Sequence, residues 1–223
     1  GINFPAGPAS RGGAGEERSG ERVSMSGRGA QPNGSLPPLV DRHILTSKTR
    51  NDVGVGAFAF LFSEIVQYSQ TRVSNVSELE RKLADVGFDV GVRMLELLVH
   101  REKGGKRENR ILGILSFLHT NVWKNLFGKT ADSLERGTSA DDEYMISDHD
   151  LLVNRFISVP RDMGSMNCGA FAAGIVEGVL KSAGFPARVT AHSVASEGLS
   201  RPKTTILIKF APEVIERDER LGS

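Results

Sequence analysis

From Val53 onward the apolar residues fall into repeats of three and four. Val55, Phe58, Phe62, Ile65, Ser69 and Val73 mark one face of a helix, the spacing an α-helix needs to bury a single stripe. Ala57, Leu61 and Tyr68, with Phe60, mark a second stripe on the same segment. A helix that is apolar on two sides has two surfaces to cover. The first is expected to close the core, with Phe58, Phe62 and Ile65 inward. The second, with Leu61, Glu64, Tyr68 and Phe60, is the candidate face for a partner.

"NVSELERKLADVG" starts a second helix, with Ser77 and Glu80 as a capping box and Leu79, Leu83 and Val86 as its apolar face. Gly87 is expected to end it, because glycine takes the left-handed terminal conformation at low cost. "FDVGVRMLELLVHRE" restarts helix with Phe88, Val92, Leu95 and Val99 aligned. "KGGKREN" is a turn, and "RILGILSFLHTNVWKNLFG" a longer helix carrying Ile111, Leu115, Leu118, Val122 and Leu126, capped by Gly128. Residues 129 to 143 are polar and read as an extension and loop.

The pattern then turns to short β-rich runs, "DEYMISDH" and "VNRFISVP", read as a strand pair. A helix over about 167 to 183 follows, ended by "SAGFP". "ARVTAHSVA" and "TTILIKF" form a second strand pair, and Glu213 to Arg220 a terminal helical turn or two. Helices segregated from antiparallel strands predict an α+β domain, a helical layer on one face of a small antiparallel sheet.

Composition adjusts this picture at the front of the chain. Of 223 residues, 39% are hydrophobic and 25% charged, with a net charge of +1, which gives no general pull toward nucleic acid. Residues 1 to 50 hold seven basic and four acidic side chains, nine of the 25 glycines and five of the nine prolines. Residues 1–41 are therefore expected to be a flexible arm and 42–223 a single domain. Met25 could be the natural start. The first 30 residues lack an apolar signal core, which argues against secretion, and no apolar run approaches the ~20 residues that span a bilayer. A single cysteine excludes an internal disulfide and suits a reducing compartment.

That cysteine, Cys168, lies at the start of the helix "CGAFAAGIVEGVLKS". A thiol at a helix N-terminus with His192 on a nearby strand would suggest acyl transfer or hydrolysis. The commoner use of a lone cysteine is as a small buried residue. Ala170, Gly174, Gly178 and Ser182 advance by fours along this helix, with Phe171, Ile175 and Val179 expected on its opposite side. Interior glycines cost about 1 kcal/mol each relative to alanine, a cost repaid where backbones must approach closely. Cys168, Ala170, Gly174 and Gly178 are thus candidates for close packing, with catalysis the alternative. The five histidines show no metal-ligand spacing. The basic turn "HREKGGKREN" lacks the P-loop's pattern. It reads as a solvated turn, with a membrane-surface patch as the functional alternative. No cofactor is implied.

Two long segments, "FAFLFSEIVQYSQTRVSNVSELERKLADVGFDVGVRMLELLVHREKGGKRENRILGILSFLHTNVWKNLFGKTADSLE" and "FISVPRDMGSMNCGAFAAGIVEGVLKSAGFPARVTAH", together resemble the subunits of the TRAPP vesicle-tethering complex. The similarity runs through roughly residues 42 to 220. It implies helices laid on one face of an antiparallel sheet. It implies a non-catalytic core scaffold subunit of an assembly that acts as exchange factor for a Rab GTPase in endoplasmic reticulum to Golgi transport. Such a subunit is cytoplasmic, peripheral at those membranes, and pairs through its early helices with another subunit of the same fold. The family's founding member carries an acylated cysteine near the turn before its long helix. Here that turn reads "REKGGKREN", without cysteine, and Cys168 lies elsewhere.

Overall fold

In the computed structural model the first helix, α1 (Val55–Gln70), turns Phe62, Val66 and Ser69 fully inward, with Phe58 and Ile65 partly buried beside them. Val66 belongs to the buried stripe although the spacing omitted it, and Val55 stays exposed at the helix start. The structure describes residues 54–101, 107–137, 142–159, 163–164, 166–195 and 202–222. The expected arm, 1–41, lies outside them.

The second helix, α2, runs unbroken from Val76 to Arg101. Gly87 does not end it: the residue is buried mid-helix, where absence of a side chain serves contact and not termination. Val86 and Val99, expected inside, are exposed, and Leu98 takes the buried place. The cap also differs from expectation. The Asn75 side chain accepts the Glu78 amide N–H at 2.9 Å, and the Glu78 carboxylate accepts the Ser74 N–H at 3.0 Å. The box sits two residues earlier than Ser77 and Glu80, and this leaves Glu80 free for a distant contact.

The third helical run has three parts: α3 (Ile111–Phe117), a wide π-type turn (Leu118–Val122) and α4 (Trp123–Phe127). Sequence periodicity predicts one regular helix. Leu118 and Val122 of the wide turn and Trp123 just after it are all buried. Gly128 ends the run at φ 79°, in the left-handed region that favours glycine.

Residues 129–143, expected to be loop, contain strand β1 (Ser133–Arg136). It pairs antiparallel with β2 (Glu143–Asp148). "VNRFISVP" is not the partner of β2. Both sides of β2 are already occupied, by β1 and by β4, and the segment forms a helical turn, α5 (Leu152–Arg155), that buries Leu151 and Val153. Next come α6 (Gly169–Ser182), β3 (Ala187–Val194), β4 (Lys203–Phe210) and α7 (Pro212–Gly222). The sheet order is β1-β2-β4-β3, antiparallel throughout.

Register places Tyr144, Ile208 and Val189 in one row across the sheet, and Ile146, Ile206 and Ala191 in the next. Alternation puts these on one face. There they are covered by α6, whose Val176, Val179 and Leu180 are fully buried. The fold is therefore α+β, with helices packed on an antiparallel sheet. At the outer edge, Glu177 of α6 accepts the Val189 backbone N–H at 3.4 Å.

A buried polar network fastens α4 to β2. Asp148 is almost fully enclosed and accepts from the Trp123 indole N–H at 2.9 Å, Lys129 Nζ at 2.6 Å and the Asp150 amide at 2.9 Å. Beside it, Asp132 accepts the His149 amide at 2.7 Å, and its Oδ2 lies 2.8 Å from the His149 ring. Burial alone would raise the Asp132 pKa, but the His149 hydrogen bonds and the Lys129 charge outweigh it and hold the carboxyl below its ordinary range. Asp218 behaves alike: burial opposes, yet the Arg110 side chain and the Ile111 amide lower it.

Replacing Asp148 with Ala orphans the buried indole N–H and should cost about 2–3 kcal/mol in urea unfolding. Because Asp132 and Asp218 have depressed folded-state pKa values, their contribution is present above the ordinary carboxylate pKa and lost as pH falls through the folded values. The double variant Asp132→Asn, Asp218→Asn should accordingly show a flatter loss of stability below about pH 4, read from thermal midpoints across pH.

Candidate assembly surface

The contact between α2 and α6 is made by four glycines. A Cβ on Gly87 would fall on the carbonyl oxygen of Phe171, and one on Gly91 on that of Ile175. In return, a Cβ on Gly174 would fall on the carbonyl of Ala84, and one on Gly178 on that of Phe88. The two backbones thus touch along two turns, and no other residue type fits these four positions. Phe171 and Ile175, expected opposite the small-residue stripe, have their backbones at this same crossing. Ser182 is exposed at the helix end.

Asn167 sets the start of α6. Its side-chain oxygen accepts the Gly169 amide at 2.7 Å, its amide nitrogen reaches Ser193 Oγ at 3.1 Å, and its backbone N–H donates to Glu80 at 2.8 Å. This is the distant contact that Glu80 makes from α2. Nothing in the linear pattern marked Asn167; only its place just ahead of the helix is a cue.

Cys168 follows it and is 1% exposed. Burial, with the Glu80 charge adding to it, pushes its thiol up to about 12. His192 cannot serve it as a base. Along β3, Ala191 faces the start of α6, so His192 points to the other face of the sheet, where its Nε2 lies 2.8 Å from Thr190 Oγ1. The thiol pair considered from sequence is not assembled. Ala170 is buried and lines a cleft of about 480 Å³ between α2, α6 and β3.

The second stripe of α1 lies open. Phe60 is 82%, Leu61 62% and Tyr68 58% exposed. Glu64, also exposed, falls between Leu61 and Tyr68. Ala57, Leu61, Glu64 and Tyr68 follow four-three-four spacing, the seam one helix offers another. Arg72 lies over the Tyr68 ring at 3.5 Å and donates to the Tyr68 carbonyl at 3.0 Å, which fixes the guanidinium against the ring. On α2, Val86 and Val90 stand one turn apart and partly open. The opposite face of α1 is anchored: Phe62 stacks on Phe58 at 5.7 Å and meets Phe171 edge-on at 5.2 Å. No described helix is long and apolar enough to cross a membrane.

The arrangement is that of an α+β domain with a glycine-packed interior and one helix presenting exposed apolar surface. A family model described as transport protein particle (TRAPP) component matches residues 58–211. The trafficking protein particle complex subunit 5 of Dictyostelium discoideum is 61% identical over 180 residues, covering 81% of this chain and 96% of the relative. The human protein of the same description is 47% identical over 175 residues, covering 78% and 89%. Subunit 31 of Saccharomyces cerevisiae is 27% identical, covering 76% and 80%. A crystal structure of subunit 3 from Naegleria fowleri, covalently bound to palmitic acid, superposes with a TM-score of 0.61 at 14% identity, covering 70% of this chain and 95% of that one. The chain belongs to the TRAPP component family, and it is a component of vesicle-trafficking machinery.

Gly178→Ala and Gly174→Ala should each destabilise the chain by ~1–3 kcal/mol or more, because backbone must move to admit the methyl group. Gly56→Ala, at an exposed position on α1 with nothing near the added carbon, should gain about 0.5–1 kcal/mol. Chemical denaturation of the three variants checks both signs. The raised thiol pKa adds stability that is full below its ordinary value of 9.0 and is lost as pH rises toward about 12. Native Cys168 should resist maleimide at neutral pH, and Cys168→Ala should remove its share of the alkaline slope.

Proposed function

We propose that this chain is a non-catalytic scaffold subunit of a TRAPP complex, joined through α1 to another subunit of the same fold. The assembly it helps build acts on a Rab GTPase as exchange factor during endoplasmic reticulum to Golgi transport, at the cytoplasmic face of those membranes. The observation that carries the reading is the open stripe of Phe60, Leu61 and Tyr68 on a helix whose other side is anchored in the core. Large apolar side chains aligned on one exposed helix face mark an interaction surface. Tyrosine is among the residue types that dominate binding energy at such surfaces. Relatives named as complex subunits, aligned over nearly their full length, point to an assembly of that kind.

Glu64 supplies polarity within the stripe and is assigned the role of fixing register against a basic group on the partner. Leu61→Asp should leave the helical circular dichroism signal nearly unchanged, since Leu61 makes no core contact. The same substitution should abolish co-purification with the partner subunits from cells. Retention of the partners at wild-type yield would refute the assignment. Expressed alone, the wild-type chain should self-associate, whereas Leu61→Asp should be monomeric by light scattering.

A further inference from the structure

At the far end of α6 from Cys168, two guanidinium groups converge on Gly184. Gly184 ends the helix in the left-handed conformation at φ 83°, which turns its carbonyl outward to be bound. Arg217, from α7, donates its Nη1 to that carbonyl at 2.8 Å and lays its guanidinium over the Phe185 ring at 4.4 Å. Its Nη2 is buried and has no hydrogen-bond partner. Arg107 comes from the "HREKGGKREN" turn, and its Nη2 lies over Gly184, 3.2 Å from where a side chain there would begin. Arg107 is exposed and makes no ion pair among the described residues.

A cavity of about 300 Å³ opens between these groups, with Glu108, Asn109, Ala183 and Phe185 in its wall. Two carboxylates lie close by, one of them in the cavity wall. Glu108 lines the cavity with its carboxylate directed at Gly113 of α3, and Asp218, which also feels the Arg217 charge, accepts its hydrogen bonds from Arg110 and the Ile111 amide, so neither carboxylate takes the Arg217 Nη2 proton. A buried charged donor left unpaired costs more than a neutral one. Such groups in native proteins call for a water or an ion to complete them. Here the unpaired donor belongs to a cation already fixed on two sides, with a second cation beside it. Guanidinium forks match tetrahedral oxyanions in geometry and charge.

We propose that Arg217 and Arg107, with the Asn109 side chain, form a binding site for a single phosphate group. Arg107 moves off Gly184 and, with Arg217 Nη2, grips the oxyanion, while Phe185 and Gly184 keep the Arg217 guanidinium in place. Free phosphate and the phosphorylated headgroup of a membrane lipid present the same recognising chemistry.

The test uses the full chain in the assembly with which it co-purifies, so that only this chain is altered. Titration calorimetry with inorganic phosphate, against chloride at matched ionic strength, should show binding to wild type. Arg217→Gln and Arg107→Gln should each weaken it by roughly ten-fold or more, the equivalent of one charge-assisted hydrogen bond. Arg217→Lys should fall between. Arg107 is exposed, so its variant folds normally and keeps the test decisive if Arg217→Gln does not.

Flotation with phosphatidylcholine vesicles, with and without phosphatidylinositol 4-phosphate, distinguishes the sources. Recruitment that needs the phosphorylated lipid and is lost in Arg107→Gln identifies the headgroup. Phosphate binding without recruitment identifies the free ion. Absence of phosphate binding by wild type, equal binding by wild type and both glutamine variants, or an equal effect from acetate would each overturn the proposal.

Discussion

Two helix backbones meet in this molecule with no side chain between them. Four glycines, two on α2 and two on α6, let Phe171, Ile175, Ala84 and Phe88 present their carbonyls where side chains would normally stand. Interior glycine weakens each helix on its own. The loss is offset because the shortened distance brings α6 into the middle of the domain, buried along nearly its whole length. With one side of α6 against α2 and another against β3 and β4, the same 14 residues join the helical layer to the sheet. Phe62 then packs on Phe171, so even the placement of α1 depends on the glycine crossing.

This dependence explains which parts of the fold were legible in the sequence. The stripes of α1 and of the α3–α4 run were readable because Phe62 and Leu115 recur in helical register with other apolar residues. The strands β2 and β4 were readable because Ile146, Ile206 and Ile208 alternate with residues that face away. Gly87 was misread because glycine has two uses, ending a helix and admitting a neighbour, and only the second helix shows which applies. Strand β1 has one apolar residue, Leu134, in four positions, since an edge strand needs little core. "VNRFISVP" has the composition of a strand, but composition does not record that β2 already has both neighbours.

The surface residues divide in the same way. Phe60, Leu61 and Tyr68 could be singled out because α1 carries more apolar residues than one buried stripe can use. Cys168 drew notice as the lone cysteine, but its surroundings, which keep it protonated, come from burial and from Glu80 far away in sequence. Arg217 carried no signal at all. A basic residue in a short charged terminal helix is ordinary, and only the fold shows that one of its nitrogens is enclosed without a partner.

Glu177 does something further at the rim of the sheet. β3 is an edge strand, and an edge with open amides is a template on which another chain can lay a strand. By taking the Val189 N–H, the Glu177 carboxylate occupies one position of that template with a negative charge. A strand arriving there would have to break the bond and leave a carboxylate facing its own backbone carbonyls. The bond thereby blunts the free edge of β3 against pairing with a strand from another chain.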